Sequence, residues 1–332
     1  MNLDSGLIGI LYKLFRPVEL LITYILSFWH KIFVFLGMPD GPGAAWVLSV
    51  VFLVILVRLC ILPLFLKQLK SMRRMQAFQP EMKKIQNKYK GKTDQASKEA
   101  QSREMMELYR KEHINPMGSC LPLLFQGPIF MSMFYVFGSI NKIAEGQRDS
   151  LGSFDADAAK DFVDSPLFNV HLSTLFSQAD SAGKVTMGIF VALMCASMFL
   201  TQFYSLKRNI NRDGMEESQY KMQLGMAFVF PIMYIFSGLN MPLDVCVYWL
   251  TNNIWTLAQT IIQVHIMPNP GSPAAKAKEK RDLKKDRERR EKEGLPTIEE
   301  EQLALAKQQR ELKKTQKNQR VQPVKKKKKN KK

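Results

Sequence analysis

Residues 51–66 read VFLVILVRLCILPLFL, and within this stretch Arg58 alone carries a charge. Extended back to Ala44, the apolar run covers 23 residues, roughly 34 Å as a helix and enough to cross a bilayer. An arginine near the middle of such a helix costs about 2.5–3.5 kcal/mol even on the lenient insertion scale. It is retained where it faces a bundle interior or a wet cavity. The stretch therefore predicts an integral membrane protein and raises the question of what the charge meets.

The rest of the composition agrees. The chain has 332 residues, 46% of them hydrophobic, yet its mean hydropathy is -0.15. Very apolar spans must alternate with very charged stretches. The formal net charge of +18 is unevenly placed. Cys60, Cys120, Cys195 and Cys246 each sit in a separate apolar segment with no CxxC spacing, so they read as small packing residues, not as a zinc site or a disulfide framework.

Four more membrane-length segments follow the first span (44–66), at 118–140, 185–206, 222–240 and 243–266. Pro122, Pro128 and Pro231 fall inside them, which membrane helices tolerate. The expected fold is an all-α polytopic membrane protein, a five-span helical bundle. Residues 67–114 hold 13 Lys/Arg against 6 Asp/Glu, 207–221 hold 4 against 3, and the tail from His265 holds 23 against 10. Residues 141–184 hold 4 against 7. Basic residues mark the cytoplasmic side, so the first three regions are expected inside. The 141–184 loop and the N-terminus are expected outside. Within 1–43, residues 17–36 read as an amphipathic helix in the outer interface, begun at Pro17 and anchored by Tyr24 and Trp29. A sixth span is the competing reading.

Residues 67–114 predict a basic helical hairpin. Met72, Met75, Phe78, Met82, Ile85 and Tyr89 form a stripe, the turn falls at Gly91 to Asp94, and a second helix runs over about 95–113. The tail, 267–332, has no apolar span. Thr297 and Glu300 form a capping-box pattern before a solvated helix over 298–320, and the chain ends KKKKKNKK. Three readings fit the tail: contact with anionic lipid headgroups, contact with ribosomal RNA, or topology control with no partner. It lacks aromatic residues for base stacking, so any contact is expected to be to phosphates.

No catalytic arrangement is present. His30, His113, His171 and His265 are scattered, and HExxH, GxSxG and Walker-type loops are missing. Asp155, Asp157, Asp161 and Asp164 lack EF-hand spacing and read as a solvated acidic face. No enzyme activity, metal or other cofactor is expected. Polar residues on other spans are the natural neighbours of Arg58: Gln202 on span three, and Trp249, Asn252, Asn253 and Thr256, spaced to share one face of span five. No acid lies within a span, because Asp244 stands at the outer end of span five. An unneutralised cation in a wet groove invites a transient anionic partner. A small-solute transporter is the alternative, but five unequal spans lack the repeats that transporters show.

Three motifs carry a resemblance: VRLCILPL (57–64), NPMGSCLPLLFQGPIF (115–130) and MPLDVCVYWLTNN (241–253). In this order, and separated by a basic hairpin, the sequence resembles the YidC-type (Oxa superfamily) membrane protein insertases over roughly 40–266. It is most similar to those of Gram-positive actinobacteria, which lack the large periplasmic domain. The resemblance implies a plasma-membrane insertase and chaperone for nascent membrane proteins, acting alone or beside the Sec translocon, with ribosome contacts through basic tails. It implies a hydrophilic groove open to the cytoplasm in which Arg58 engages acidic parts of substrates. Gln202, Trp249 and Asn252 would line that groove, with Tyr248, Gln126 and Asn253 as further groove or supporting residues. Ser119, Asp244 and Val54 depart from the family pattern.

Overall fold

The computed structural model describes residues 6–113 and 121–319, with side chains over 15–113 and 126–315. The second motif's residues 115–120, including Ser119 and Cys120, and the terminal KKKKKNKK lie outside the described residues. The chain divides into two units, Met1–Ala275 and Lys276–Lys332.

The first unit is helical, as the apolar segments require. Helix α1 runs Gly6–Phe35 and α2 Ala44–Ala77. Two short helices follow, α3 (Gln79–Lys88) and α4 (Gln95–Lys111), and then α5 (Leu121–Ala144). The segment after α5 holds α6 (Ala156–Val163) and a ribbon of two-residue strands, β1 (Pro166–Leu167) and β2 (Val170–His171). Helices α7 (Ser181–Asn209), α8 (Glu217–Leu239) and α9 (Leu243–Ile266) complete the bundle. Asp94, Asp155 and Asp180 cap their helices by accepting from the backbone N–H three residues on, at 2.9, 2.9 and 2.7 Å. Asp155 therefore has a structural role.

Two boundaries differ from expectation. Helix α1 does not start at Pro17 but carries it inside, eleven residues after its first residue. The proline removes one intrahelical bond, a loss that an apolar helix packed on neighbours absorbs. Helix α2 does not stop at Leu66. It continues through Pro63 and eleven residues beyond the apolar run, so the first span and the hairpin's leading arm are one rod broken first at Phe78. Its buried face, Trp46, Ser49, Val50, Leu53 and Val54, reappears at Gln68 and Leu69.

Helix α7 packs on α8 and α9, α2 on α9, and α1 on α2 and α5. Gly238 of α8 lets its backbone approach α7, where an added Cβ would sit 2.8 Å from Val191. On α8 only Ala227 and Gly238 are buried, while Phe228, Val229, Ile232 and Phe236 stand exposed. An apolar surface of that extent is suited to lipid, not water. By length and composition, four stretches among the described residues can cross a membrane: Phe15–Phe35, Ala44–Ala77, Ser181–Asn209 and Glu217–Leu239. Helix α9 has the length but is made more polar by Asn252, Asn253, Thr256, Gln259 and Gln263.

The segment 141–184 is a packed plug. Phe154 and Phe162 are buried against Trp46 and Phe137, with ring centroids 5.2–5.9 Å apart. The plug reaches the start of α9, where Leu243 N–H donates to the Thr174 carbonyl at 3.1 Å and Asp244 N–H to that of Leu172 at 2.9 Å. It also lies along α1. The Ser27 and Ser153 hydroxyls are hydrogen-bonded at 2.7 Å, and Ser153 donates to the Thr23 carbonyl at 2.8 Å.

The second unit continues α10 (Pro273–Glu293) and holds α11 (Ile298–Gln319). The capping box closes as expected: Thr297 N–H donates to Glu300 Oε2 at 2.9 Å and Glu300 N–H to Thr297 Oγ1 at 3.3 Å. Helix α10 was not anticipated, although its Ala, Lys, Glu and Arg content favours a helix without an apolar face.

Candidate functional site: a groove beside Arg58

Helices α2, α5 and α9 meet around Arg58, which is half-buried. Its Nη2 donates to Asn252 Oδ1 at 2.6 Å and to Thr256 Oγ1 at 3.2 Å, while Nε donates to the same Asn252 oxygen at 3.0 Å. Asn252 and Thr256 are one turn apart on α9, and the Thr256 hydroxyl also bonds the Asn252 carbonyl at 2.8 Å. The neighbour Tyr248 lies one turn further along and is buried. All these partners are neutral. Among the described residues, no carboxylate is within ion-pair distance of Arg58.

Two cavities share Arg58 and Gln126. One, of about 280 Å³, is lined with polar side chains, among them Gln68, Thr256, Gln259 and Gln263. Because Gln68 is ten residues beyond Arg58 on α2, this cavity leads roughly 15 Å toward the α3–α4 hairpin. The other, of about 220 Å³, lies on the opposite side of Arg58 and is walled by α1, α2 and α5. Its lining is apolar apart from Arg58, Gln126, Tyr248 and Asn252. Beyond it, residues 243–248 of α9 are all buried, and the 141–184 plug covers that end.

The structure brings Arg58, Gln126, Tyr248 and Asn252 together around one cavity. Gln202 and Trp249 line neither cavity at Arg58. Gln202 is half-buried on α7. Trp249 packs between Phe130 and Tyr234, at centroid distances of 5.7 and 4.9 Å, because its position on α9 points toward α5 and α8. Asn253 is buried and donates to the Met194 carbonyl at 3.4 Å, tying α9 to α7. Sequence reasoning missed Gln68, Gln259 and Gln263. A signal existed for two of them, since Asn252, Thr256, Gln259 and Gln263 recur at intervals of four, three and four. Asp244 is fully buried, with Oδ1 accepting from the Val245 N–H at 2.6 Å, two turns away from Asn252.

On the hairpin the expected stripe from Met72 to Tyr89 is half-buried throughout, with no fully buried member. Lys88 and Tyr89 both hydrogen-bond the Glu104 carboxylate, Tyr89 at 2.8 Å. These bonds hold the Glu104 carboxyl below its usual range and raise Lys88 and Tyr89 above theirs. Lys83 Nζ donates to the Met215 carbonyl at 3.1 Å, and Arg73 Nε to that of Pro268 at 3.0 Å, so the hairpin is tied to both neighbouring connections. Asn269 and Asn209 pair through two bonds of 2.8 and 2.9 Å. Among the described residues, no cluster of His, Cys, Asp and Glu can hold a metal ion.

A family model described as 60Kd inner membrane protein matches residues 39–270. The "Membrane protein insertase YidC" of Bifidobacterium longum is 53% identical over 328 residues, covering 98% of each chain. That of Tropheryma whipplei (strain Twist) is 34% identical, covering 83% of this chain and 92% of its own. The one from Streptomyces avermitilis is 38% identical, covering 80% of this chain and 61% of its own. The solved structure "Active YidC insertase crystal structure with the first transmembrane domain resolved" aligns at 22% identity with a TM-score of 0.43, covering 78% of this chain and 46% of that one.

Proposed function

The chain belongs to the 60Kd inner membrane protein family and is a multi-pass insertase of the YidC type, and from that premise we propose that Arg58 is the capture point for acidic residues of nascent membrane segments. One observation carries the reading: a guanidinium at membrane depth whose protein partners, Asn252 and Thr256, are neutral. Neutral acceptors orient the cation through Nε and Nη2 without cancelling its charge. A carboxylate arriving in the adjoining polar cavity gains a charge-assisted bond, worth about 1.5–3 kcal/mol.

The groove's shape supports a route. Its polar cavity leads toward the basic hairpin, while the plug covers the far end. An incoming segment meets the hairpin and tail, places its acidic residue at Arg58, and then partitions along the exposed apolar faces of the bundle into lipid. No nucleotide or metal takes part. On this reading α5 and α9 are spans two and five, the hairpin and tail are cytoplasmic, and the plug is outside. Helix α1 lies in the outer interface. Its inward face meets the plug where Ser27 and the Thr23 carbonyl bond Ser153 and where Gly152 packs on Leu20 and Thr23.

Vesicles reconstituted with the full chain and a short-tailed single-span substrate test the capture role. Insertion of an acidic-tailed substrate should fall with Arg58→Ala and fall further with Arg58→Glu. Insertion that stays at the wild-type level in both would overturn the assignment. Contacts with the Sec translocon and with ribosomes are part of the proposal. Cosedimentation of ribosomes with a chain truncated at Gly271, compared with the full chain across salt concentrations, tests the latter; phosphate contacts must weaken steeply with salt.

A further inference from the structure

The cavity on the far side of Arg58 holds the arginine, Gln126, Tyr248 and Asn252, and the rest of its lining is apolar. Leu21, Ile22 and Ile25 of α1 face Val57 of α2 and Ile129 and Met133 of α5 across it. Its volume is about 220 Å³. Its polar lining groups, Arg58, Gln126, Tyr248 and Asn252, belong to the arginine's own surroundings. For a segment that enters from the hairpin side and bonds Arg58 through an acidic residue, this chamber adjoins the bound residue on the side away from the hairpin. Among the aliphatic residues of α1, α2 and α5, away from those four groups, a polar side chain would lose its hydration without gaining a partner.

We propose that the α1-walled chamber is a second subsite, which seats one large apolar side chain of the incoming segment a short, fixed distance ahead of the acidic residue held by Arg58. The recognised element is then a pair, an apolar residue followed by an acid, and α1 sets the apolar half. This inference rests on the capture reading, and the two have separate readouts.

The test uses the full chain in vesicles and a single-span substrate with one Asp in its leading segment. Each of the four positions ahead of the Asp is set in turn to Leu or to Ser. At one or two of these positions Leu should raise insertion about tenfold over Ser, the order expected for seating one aliphatic side chain. Two variants of the insertase probe the wall. Leu21 lines the chamber and is more than half exposed, so Leu21→Trp adds bulk at the wall without displacing a core residue. It should bring the Leu/Ser ratio close to one and shift the preference to Ala. Ile25→Asn should lower the same ratio by making the wall polar. The dependence on Asp against Asn in the substrate, abolished by Arg58→Ala, reports on capture alone. A Leu advantage that is equal at all four positions, or that survives both α1 variants, reflects general partitioning or a lipid-filled chamber and overturns the subsite while capture stands. Loss of the Asp dependence in wild type overturns both.

Discussion

Arg58 Nη2 and Asn252 Oδ1 lie 2.6 Å apart, and Arg58 Nε reaches the same oxygen at 3.0 Å. One amide oxygen thus takes two donors of the fork, a geometry a carboxylate would also satisfy. The choice of amide over acid keeps the groove cationic. Asn252→Asp should therefore create an internal ion pair and reduce capture of an acidic-tailed substrate by about tenfold, as competition from a partly buried partner demands. Asn252→Ala should cost less, because the charge remains available. Insertion assays on the two variants side by side check the order. Equal losses would show that Asn252 acts only through geometry. Arg58→Lys should retain much of the activity, since charge is the property in use.

The orientation of α1 is open to a direct depth measurement. Leu21 and Phe35 are both exposed and fourteen residues apart, roughly 21 Å along the helix. Spin labels at these two positions should report similar immersion depths in a bilayer. Depths differing by most of that length would mean that α1 crosses the membrane.

The contact between α1 and the plug depends on Gly152, whose φ is +59° and whose added Cβ would fall 2.2 Å from Thr23 Oγ1. Gly152→Ala should destabilise the protein by about 1–3 kcal/mol through backbone strain and the clash together. Combining it with Thr23→Ala should recover part of the loss. Thermal unfolding of the detergent-solubilised chain measures both.

The hairpin should have a pH window. Glu104 has a depressed pKa, so its contribution is present above the ordinary carboxylate range and is lost as pH falls through the lowered value. Lys88 and Tyr89 have raised pKa values, so theirs is present below the ordinary range and is lost as pH rises through the raised values. The distance between spin labels at Asn87 and Glu107 should stay narrow between those limits and broaden outside them. Glu104→Gln should abolish the acid limb.

Much of this protein was determined by its sequence alone. The length and apolarity of 44–66, 185–206 and 222–240 dictate membrane helices, because the backbone has no other way to satisfy its hydrogen bonds in hydrocarbon. The basic hairpin with its turn, the Thr297 capping box and the meeting of Arg58 with polar residues of α9 were legible for the same reason: each rests on local spacing or on the high cost of one charge. Tertiary packing decided the rest. Trp249 and Asn252 are three residues apart and read as one face, yet the crossing of α9 with α5 and α8 turns the tryptophan into an aromatic cluster and leaves the asparagine at the arginine. The plug and the α1 wall are likewise invisible to periodicity, since they bring residues such as Ser27 and Ser153 together across 126 positions. A helix's sequence states which residues share a side; only its neighbours state whether that side meets a groove, a core or lipid.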